Sequence, residues 1–236
     1  MTERPASGSD PTADNPGGVE ADGPRTPARP ARPRDAASLI LWRDGPRGTE
    51  VLMGLRHARH RFMPHVLVFP GGRVDRADHR APASSELRPF SRACLERRAS
   101  PGLARALGVA AARELLEETG LALGRLDEIR LVPDLGALDY LCRAVTPAAM
   151  PIRFNARFLV APAEAASGAL RGSGELEELR FFALEETSKH QVATITAKIL
   201  AEFRAWLAMS PAEREARELV CFRGMDNRLP ELRRRS

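Results

Sequence analysis

The chain has 236 residues, a formal net charge of +5 and 43% hydrophobic residues, room for one ordinary domain with appendages or at most two small ones. No run of about 18 apolar residues occurs, so no membrane-spanning helix is expected. Cys94, Cys142 and Cys221 form no C-x-x-C pair, which points away from a disulfide framework or structural zinc and toward a reduced, cytoplasmic setting.

Residues 1–35 are rich in Pro, Gly, Ala, Asp and Arg. Such a segment buries too little apolar surface to offset its ordering entropy, and is expected to be a disordered tail with no secretory signal. A single domain is expected over 36–236. Residues 38–42 predict a strand, 45–48 a turn and 50–55 its hairpin partner. A short apolar run at 66–69 stops at Pro70-Gly71-Gly72 and reads as a strand entering a loop. Residues 86–107 look helical with an interruption at Ser100-Pro101-Gly102, a second helix is expected over about 109–119, and Gly120 stands where a left-handed helix end is expected. Strands are expected near 138–144, 156–160 and 179–182, with a mobile Gly/Ser-rich loop at 168–175. An amphipathic helix over about 191–207 follows, and Pro211 opens another. This mixed order predicts an α/β protein (α+β in some schemes) with a sheet covered by helices.

The most informative stretch is 113–121, R-E-L-L-E-E-T-G-L. On a helix, Glu114, Glu117 and Glu118 lie on one face, a turn apart. Carboxylates packed so closely repel one another unless something neutralises them, and hard divalent cations such as Mg²⁺ take oxygen ligands of this kind. A solvated acidic face is the ordinary account of one or two glutamates, and the glycine loop at Gly71-Gly72 weighs against it here. Arginine is unevenly spread: eleven arginines face four acids between Arg56 and Arg105. The planar guanidinium suits phosphate oxygens, although a coding bias would also place arginine on every solvated face.

Together, Phe69-Pro70-Gly71-Gly72, Asp78 and residues 113–121 resemble the Nudix box, G-x5-E-x7-R-E-U-x-E-E-x-G-U with U a bulky aliphatic residue. The second half matches at every defined position. In the first half Asp78 replaces the glutamate, and 34 residues instead of 7 separate it from Arg113, an insertion of 27, with helical character at about 79–107. The resemblance implies an α/β/α sandwich with a mixed sheet between helices, C-terminal helices included. It also implies Mg²⁺- or Mn²⁺-dependent cleavage of a diphosphate by water. Carried over position by position, Glu117 and Glu118 would be metal ligands and Glu114 a further ligand or the base. Arg113 would hold Glu114, and the carbonyl of Gly71 would complete the metal shell, with Asp78 as a further candidate ligand. Some members take their base from a distant loop, for which Glu175 is the candidate, although an acidic solvated loop is the ordinary reading.

The segment ahead of the box, Leu52 to Arg56, then Arg61-Phe62-Met63-Pro64 and 66–72, resembles the coenzyme A diphosphatase signature, closest to its acyl-CoA subgroup. His65 stands where that signature has glycine, and Arg-Arg-Ser at the end of the chain is not that subgroup's peroxisomal address. The resemblance implies hydrolysis of coenzyme A or acyl-CoA to 3′,5′-ADP and (acyl-)4′-phosphopantetheine, with Arg56, Arg61, Gly72 and Arg73 binding substrate. ADP-ribose, NADH or nucleotide sugars are the alternative substrates, and a non-catalytic binding module is a second alternative. His57, His60 and His65 fit no standard zinc spacing. Tyr140, Arg153 and Arg157 are open candidates for substrate contact. A small nucleotide-type substrate is the expected partner. No nucleic acid or membrane is expected, and pairing into a homodimer is in keeping with the resemblance.

Overall fold

The computed structural model describes residues 31–56, 66–128, 130–174, 176–224 and 227–231. The expected tail therefore lies almost wholly outside the described residues, as do His57, Arg61, His65 and Glu175. Strand β1 (Arg34–Gly45) begins at Arg34 and pairs antiparallel with β2 (Gly48–Arg56) through a tight turn. Gly48 supplies the positive φ of +91° that this turn needs. β3 (Leu67–Val68) lies against β2, and β4 (Gly71–Arg73) lies antiparallel on the start of β1, with Gly71 opposite Ser38 and Gly72 opposite Ala37.

Helix α1 (Pro89–Glu96) and helix α2 (Pro101–Thr119) follow. The expected division between a helix ending at 107 and another starting at 109 does not occur: α2 is continuous. Ser100 caps it by accepting the Leu103 N–H, Pro101 occupies its first turn, and Gly120 closes it at φ +74°. Gly108 lies inside this helix, where its lack of a side chain lets α2 pack closely on its neighbours. A Cβ at that position would meet Leu135, Leu138 and Leu87 at 3.3–3.4 Å.

β5 (Leu121–Asp127) and β6 (Arg130–Pro133) come next, then β7 (Asp139–Val145), β8 (Phe154–Pro162), β9 (Ala166–Gly168) and β10 (Leu176–Ala183). Helices α3 (Thr194–Leu207) and α4 (Pro211–Ala216) precede a last hairpin, β11 (Val220–Arg223) and β12 (Asn227–Pro230). The main sheet runs β10-β2-β1-β8-β7-β11-β12, and β6-β5-β9 make a small second sheet. β1 with β8 and β7 with β11 are parallel pairs, so the main sheet is mixed.

Both faces of that sheet are covered, as strand alternation requires. Ala37, Leu39 and Leu41 pack with Ala104, Leu107, Ala111 and Leu115 of α2. Ile40, Val51 and Met53 pack with Ile199, Leu200, Phe203 and Trp206 on the α3 side. The result is the α/β/α sandwich with a mixed sheet between helices. Among the described residues no helix is long and apolar enough to cross a membrane.

Candidate active site

The sheet and α2 bring β4 against the C-terminal half of α2, where the sequence places its acids. Arg113 organises the meeting point. Its Nε donates to Asp78 Oδ1 at 3.0 Å and its Nη2 to Asp78 Oδ2 at 3.2 Å. Nη1 donates to Glu114 Oε1 and to Glu117 Oε2, both at 2.9 Å. Nη2 also donates to the Arg73 carbonyl at 2.9 Å. All five N–H donors of the guanidinium are thereby used. Burial works to lower the Arg113 pKa, but the bond to Asp78 and the charges of Glu114, Asp78 and Glu117 outweigh it and raise the pKa further. The group stays cationic at every relevant pH.

Each candidate residue has a definite place. The Asp78 side chain is 2% exposed and turned inward onto Arg113, and its Oδ2 also accepts the Asp75 N–H at 2.7 Å. Asp78 thus anchors Arg113. Glu118 is buried, and its Oε2 accepts the Gly71 N–H at 3.0 Å, which clamps the glycine loop to the helix across 47 residues of sequence. The Glu114 side chain lies over Gly72, and a Cβ there would run into its carboxylate. Glu117 is the outermost, with its side chain 55% exposed. Gly71 approaches β1 so closely that a Cβ would strike Ser38 and the Ala37 carbonyl. Glycine at 71 and 72 therefore follows from steric room, on two different sides.

The remaining candidates stand around this centre. Arg56 ends β2, where its N–H bonds to the Val66 carbonyl. Arg73 ends β4, is exposed, and with Arg34, Asp35, Val74, Asp75, His79 and Leu103 lines a cavity of about 280 Å³. The glycine-rich segment before residue 175 lies against the end of α2: the Arg171 N–H donates to the Thr119 carbonyl at 2.8 Å and the Ser173 N–H to the Glu118 carbonyl at 3.4 Å. Sequence reading named this loop but had no signal for its docking, which rests on backbone groups left open at a helix end.

Two open candidates are turned away from the site. Tyr140 is buried and its hydroxyl donates to Glu231. Burial first, then the Glu231 charge, holds its pKa well above the ordinary phenol value. Arg157 is 1% exposed and bonded to Asp35, so it is unavailable to a substrate in this arrangement. Arg153 donates to the carbonyls of Thr146 and Ala31.

Whether these residues suit a divalent metal is a matter of donor chemistry and access. Carboxylates grouped beside a backbone turn are the hard oxygen donors that Mg²⁺ and Mn²⁺ take. Among the described residues no three His, Cys, Asp or Glu side chains converge in metal-holding geometry, because Arg113 sits between Glu114 and Glu117. Glu117 is free enough in solvent to turn away from Arg113 without disturbing the core, and the missing side chain at Gly72 is what gives the Glu114 carboxylate its room against the glycine backbone. The donor set therefore fits a divalent cation.

No protein-family profile matches the chain, and no curated protein matches its sequence. Solved structures do match in shape. The chain is similar to a NUDIX hydrolase from Alicyclobacillus acidocaldarius, with a TM-score of 0.56 and 23% identity over 79% of this chain and 96% of that one. It is also similar to the NUDIX domain of Shewanella oneidensis NrtR, solved in complex with ADP ribose, with a TM-score of 0.50 and 14% identity over 75% and 90% of the two chains. These likenesses establish the fold: it is that of the Nudix hydrolases.

Proposed function

We propose that the chain is a Nudix hydrolase that uses water and Mg²⁺ or Mn²⁺ to split the diphosphate linkage of a nucleoside diphosphate-linked compound. The observation that carries this reading is the seating of Glu114 and Glu118 against Gly72 and Gly71. Box helix and glycine loop, separated by the long insertion, meet at one point. Glu114, Glu117 and Glu118 would hold the metal, with the carbonyl of Gly71 beside them. Bound divalent ions supply charge neutralisation of the diphosphate and a more acidic attacking water. Arg113 orients Glu114 by a charge-assisted hydrogen bond, so that its carboxylate is placed to accept a proton. Asp78 fixes Arg113 from behind.

Within this class the substrate reading is coenzyme A or acyl-CoA, supported by the sequence ahead of the box, with Arg56, Arg61, Gly72 and Arg73 as candidate contacts and Glu175 as an accessory base. ADP-ribose is the second reading, favoured by the ligand of the NrtR domain. Pairing into a homodimer and a cytoplasmic setting complete the proposal.

Incubation with Mg²⁺ or Mn²⁺ and a panel of CoA, acetyl-CoA, ADP-ribose, NADH and a nucleotide sugar tests it. Release of 3′,5′-ADP and a 4′-phosphopantetheine compound supports the coenzyme A reading. AMP from ADP-ribose or NADH moves the substrate but keeps the class. Absence of metal-dependent cleavage across the panel contradicts the hydrolase reading and favours a binding module.

A further inference from the structure

We propose that Arg157, outside the Arg113 cluster and sealed from solvent, is a positioning residue for the candidate site, an inference that rests on the diphosphatase reading above. Arg157 Nη1 donates to Asp35 Oδ1 at 2.6 Å and to the Asn155 carbonyl at 2.8 Å, and its Nη2 donates to the Arg98 carbonyl at 3.2 Å. Asn155 Nδ2 donates to the same Asp35 oxygen at 2.7 Å. One guanidinium thus ties together the first residues of β1, strand β8 and the segment that follows α1 inside the insertion.

The link from Asp35 to the site is short and made of hydrogen bonds. The Asp35 carbonyl accepts the Val74 N–H at 3.0 Å, directly after β4. One residue earlier the Arg73 carbonyl accepts Arg113 Nη2, and one residue later the Asp75 N–H bonds to Asp78, which holds Arg113 from the other side. β4 is three residues long and rests on β1 through only three register pairs, Ala36 with Arg73 being the outermost. So short a strand has little pairing of its own with which to fix its register. Its outer end depends on how firmly the start of β1 is held, and on that stretch Arg157 and Asn155 are the side chains that grip Asp35.

The same guanidinium gives the insertion a part in the site. The Arg98 carbonyl lies between α1 and α2, so Arg157 joins the segment just before the box helix to β1, the strand on which β4 rests. This is a contiguous set of polar contacts joining the insertion to the site. A lysine could reach Asp35 but has no planar fork with which to meet the Arg98 carbonyl as well.

The test uses the full chain as Arg157→Met and Arg157→Lys, with three readouts at a temperature where each variant is folded: amide hydrogen exchange across residues 71–78, Mn²⁺ affinity by electron paramagnetic resonance, and kcat and KM on whichever substrate the wild type cleaves. The Met variant should exchange the Val74 amide faster, bind Mn²⁺ more weakly, and lose kcat by on the order of tenfold to a hundredfold with KM little changed, as expected when reacting groups are misplaced without losing substrate contacts. The Lys variant should recover part of each. If the Met variant does not fold, the Lys variant decides: reduced kcat and Mn²⁺ affinity support the inference. Wild-type exchange, Mn²⁺ affinity and kcat in a folded variant overturn it, as does a lowered melting temperature with nothing else changed. A wild type that cleaves no diphosphate contradicts the functional reading instead. In that case exchange and Mn²⁺ binding still judge Arg157, because neither depends on turnover.

Discussion

Two arginine–carboxylate clusters lie on the α2 side of this sheet, one at its rim and one in its interior, and they differ in what surrounds them. At the C-terminal half of α2, Arg113 gathers Asp78, Glu114 and Glu117, and its outer member, Glu117, stands half in water. At the strand ends, Asp35, Arg157, Asn155, Arg143, Glu231 and Tyr140 form a chain of contacts from the start of β1 to the last described residue. Arg157, Arg143 and Glu231 are almost wholly buried. Breaking one partner out of a buried set leaves an uncompensated charge or polar group. At the rim, the half-exposed Glu117 can exchange its guanidinium contact for another cation at small cost. The same chemistry thus serves ligand exchange at the rim and rigidity inside, and variants should separate the two, except at Arg157, whose contacts lead on to β4.

The largest effect is expected at the rim. Glu117→Gln should cut metal-dependent turnover by at least on the order of a hundredfold, beyond the loss typical of an outer-shell partner, while unfolding free energy changes by no more than ~0.5 kcal/mol, as for an exposed side chain. Steady-state kinetics beside a melting curve checks both. The neighbouring glycines sharpen the contrast. Gly72→Ala strikes the far end of the Glu114 side chain rather than backbone, so turnover should fall on the order of tenfold to a hundredfold with the melting temperature nearly kept. Gly71→Ala strikes the backbone of β1 and should instead lower stability by ~1–3 kcal/mol, read from urea unfolding.

In the interior, Tyr140→Phe removes one buried hydrogen bond to Glu231. It should cost about 1–2 kcal/mol of stability and leave kcat unchanged. The smallest effect belongs to a surface pair away from both clusters. Glu186, bonded first by Arg180 and also facing Arg47 and His190, has its pKa lowered from 4.5 to about 2. A depressed carboxylate stabilises the fold above its unfolded pKa, and that contribution is lost as pH falls from about 4.5 towards 2. Melting temperature against pH should therefore be slightly flatter in Glu186→Gln over that window.

Much of the rim was readable in the sequence because it is local. Three acids, an arginine and a glycine within nine residues specify a helix face and its end, and Gly120 takes the left-handed conformation that the pattern implies. The β1–β2 hairpin was readable for the same reason. The interior cluster was not, because Arg157 and Asp35 are 122 residues apart and Tyr140 and Glu231 are 91 apart. Nothing local marks an arginine as buried when its partners come from other strands, which is why Arg157 and Tyr140 read as candidate substrate contacts. The continuity of α2 was hidden similarly: the helix runs through Gly108, which packs closely on Leu135, Leu138 and Leu87 from other parts of the chain. β5, β6, β9, β11 and β12 are short and carry charges or glycine, so their pairing comes from the sheets they join.

The central claim, that the acids of α2 against Gly71 and Gly72 hold the metal, is tested most directly by titrating Mn²⁺ into the wild type and into Glu114→Gln/Glu117→Gln, with free Mn²⁺ followed by electron paramagnetic resonance. Saturable binding in the wild type that weakens by at least tenfold in the double variant, with the fold intact, is the predicted result. Equal Mn²⁺ binding by the two proteins would contradict it.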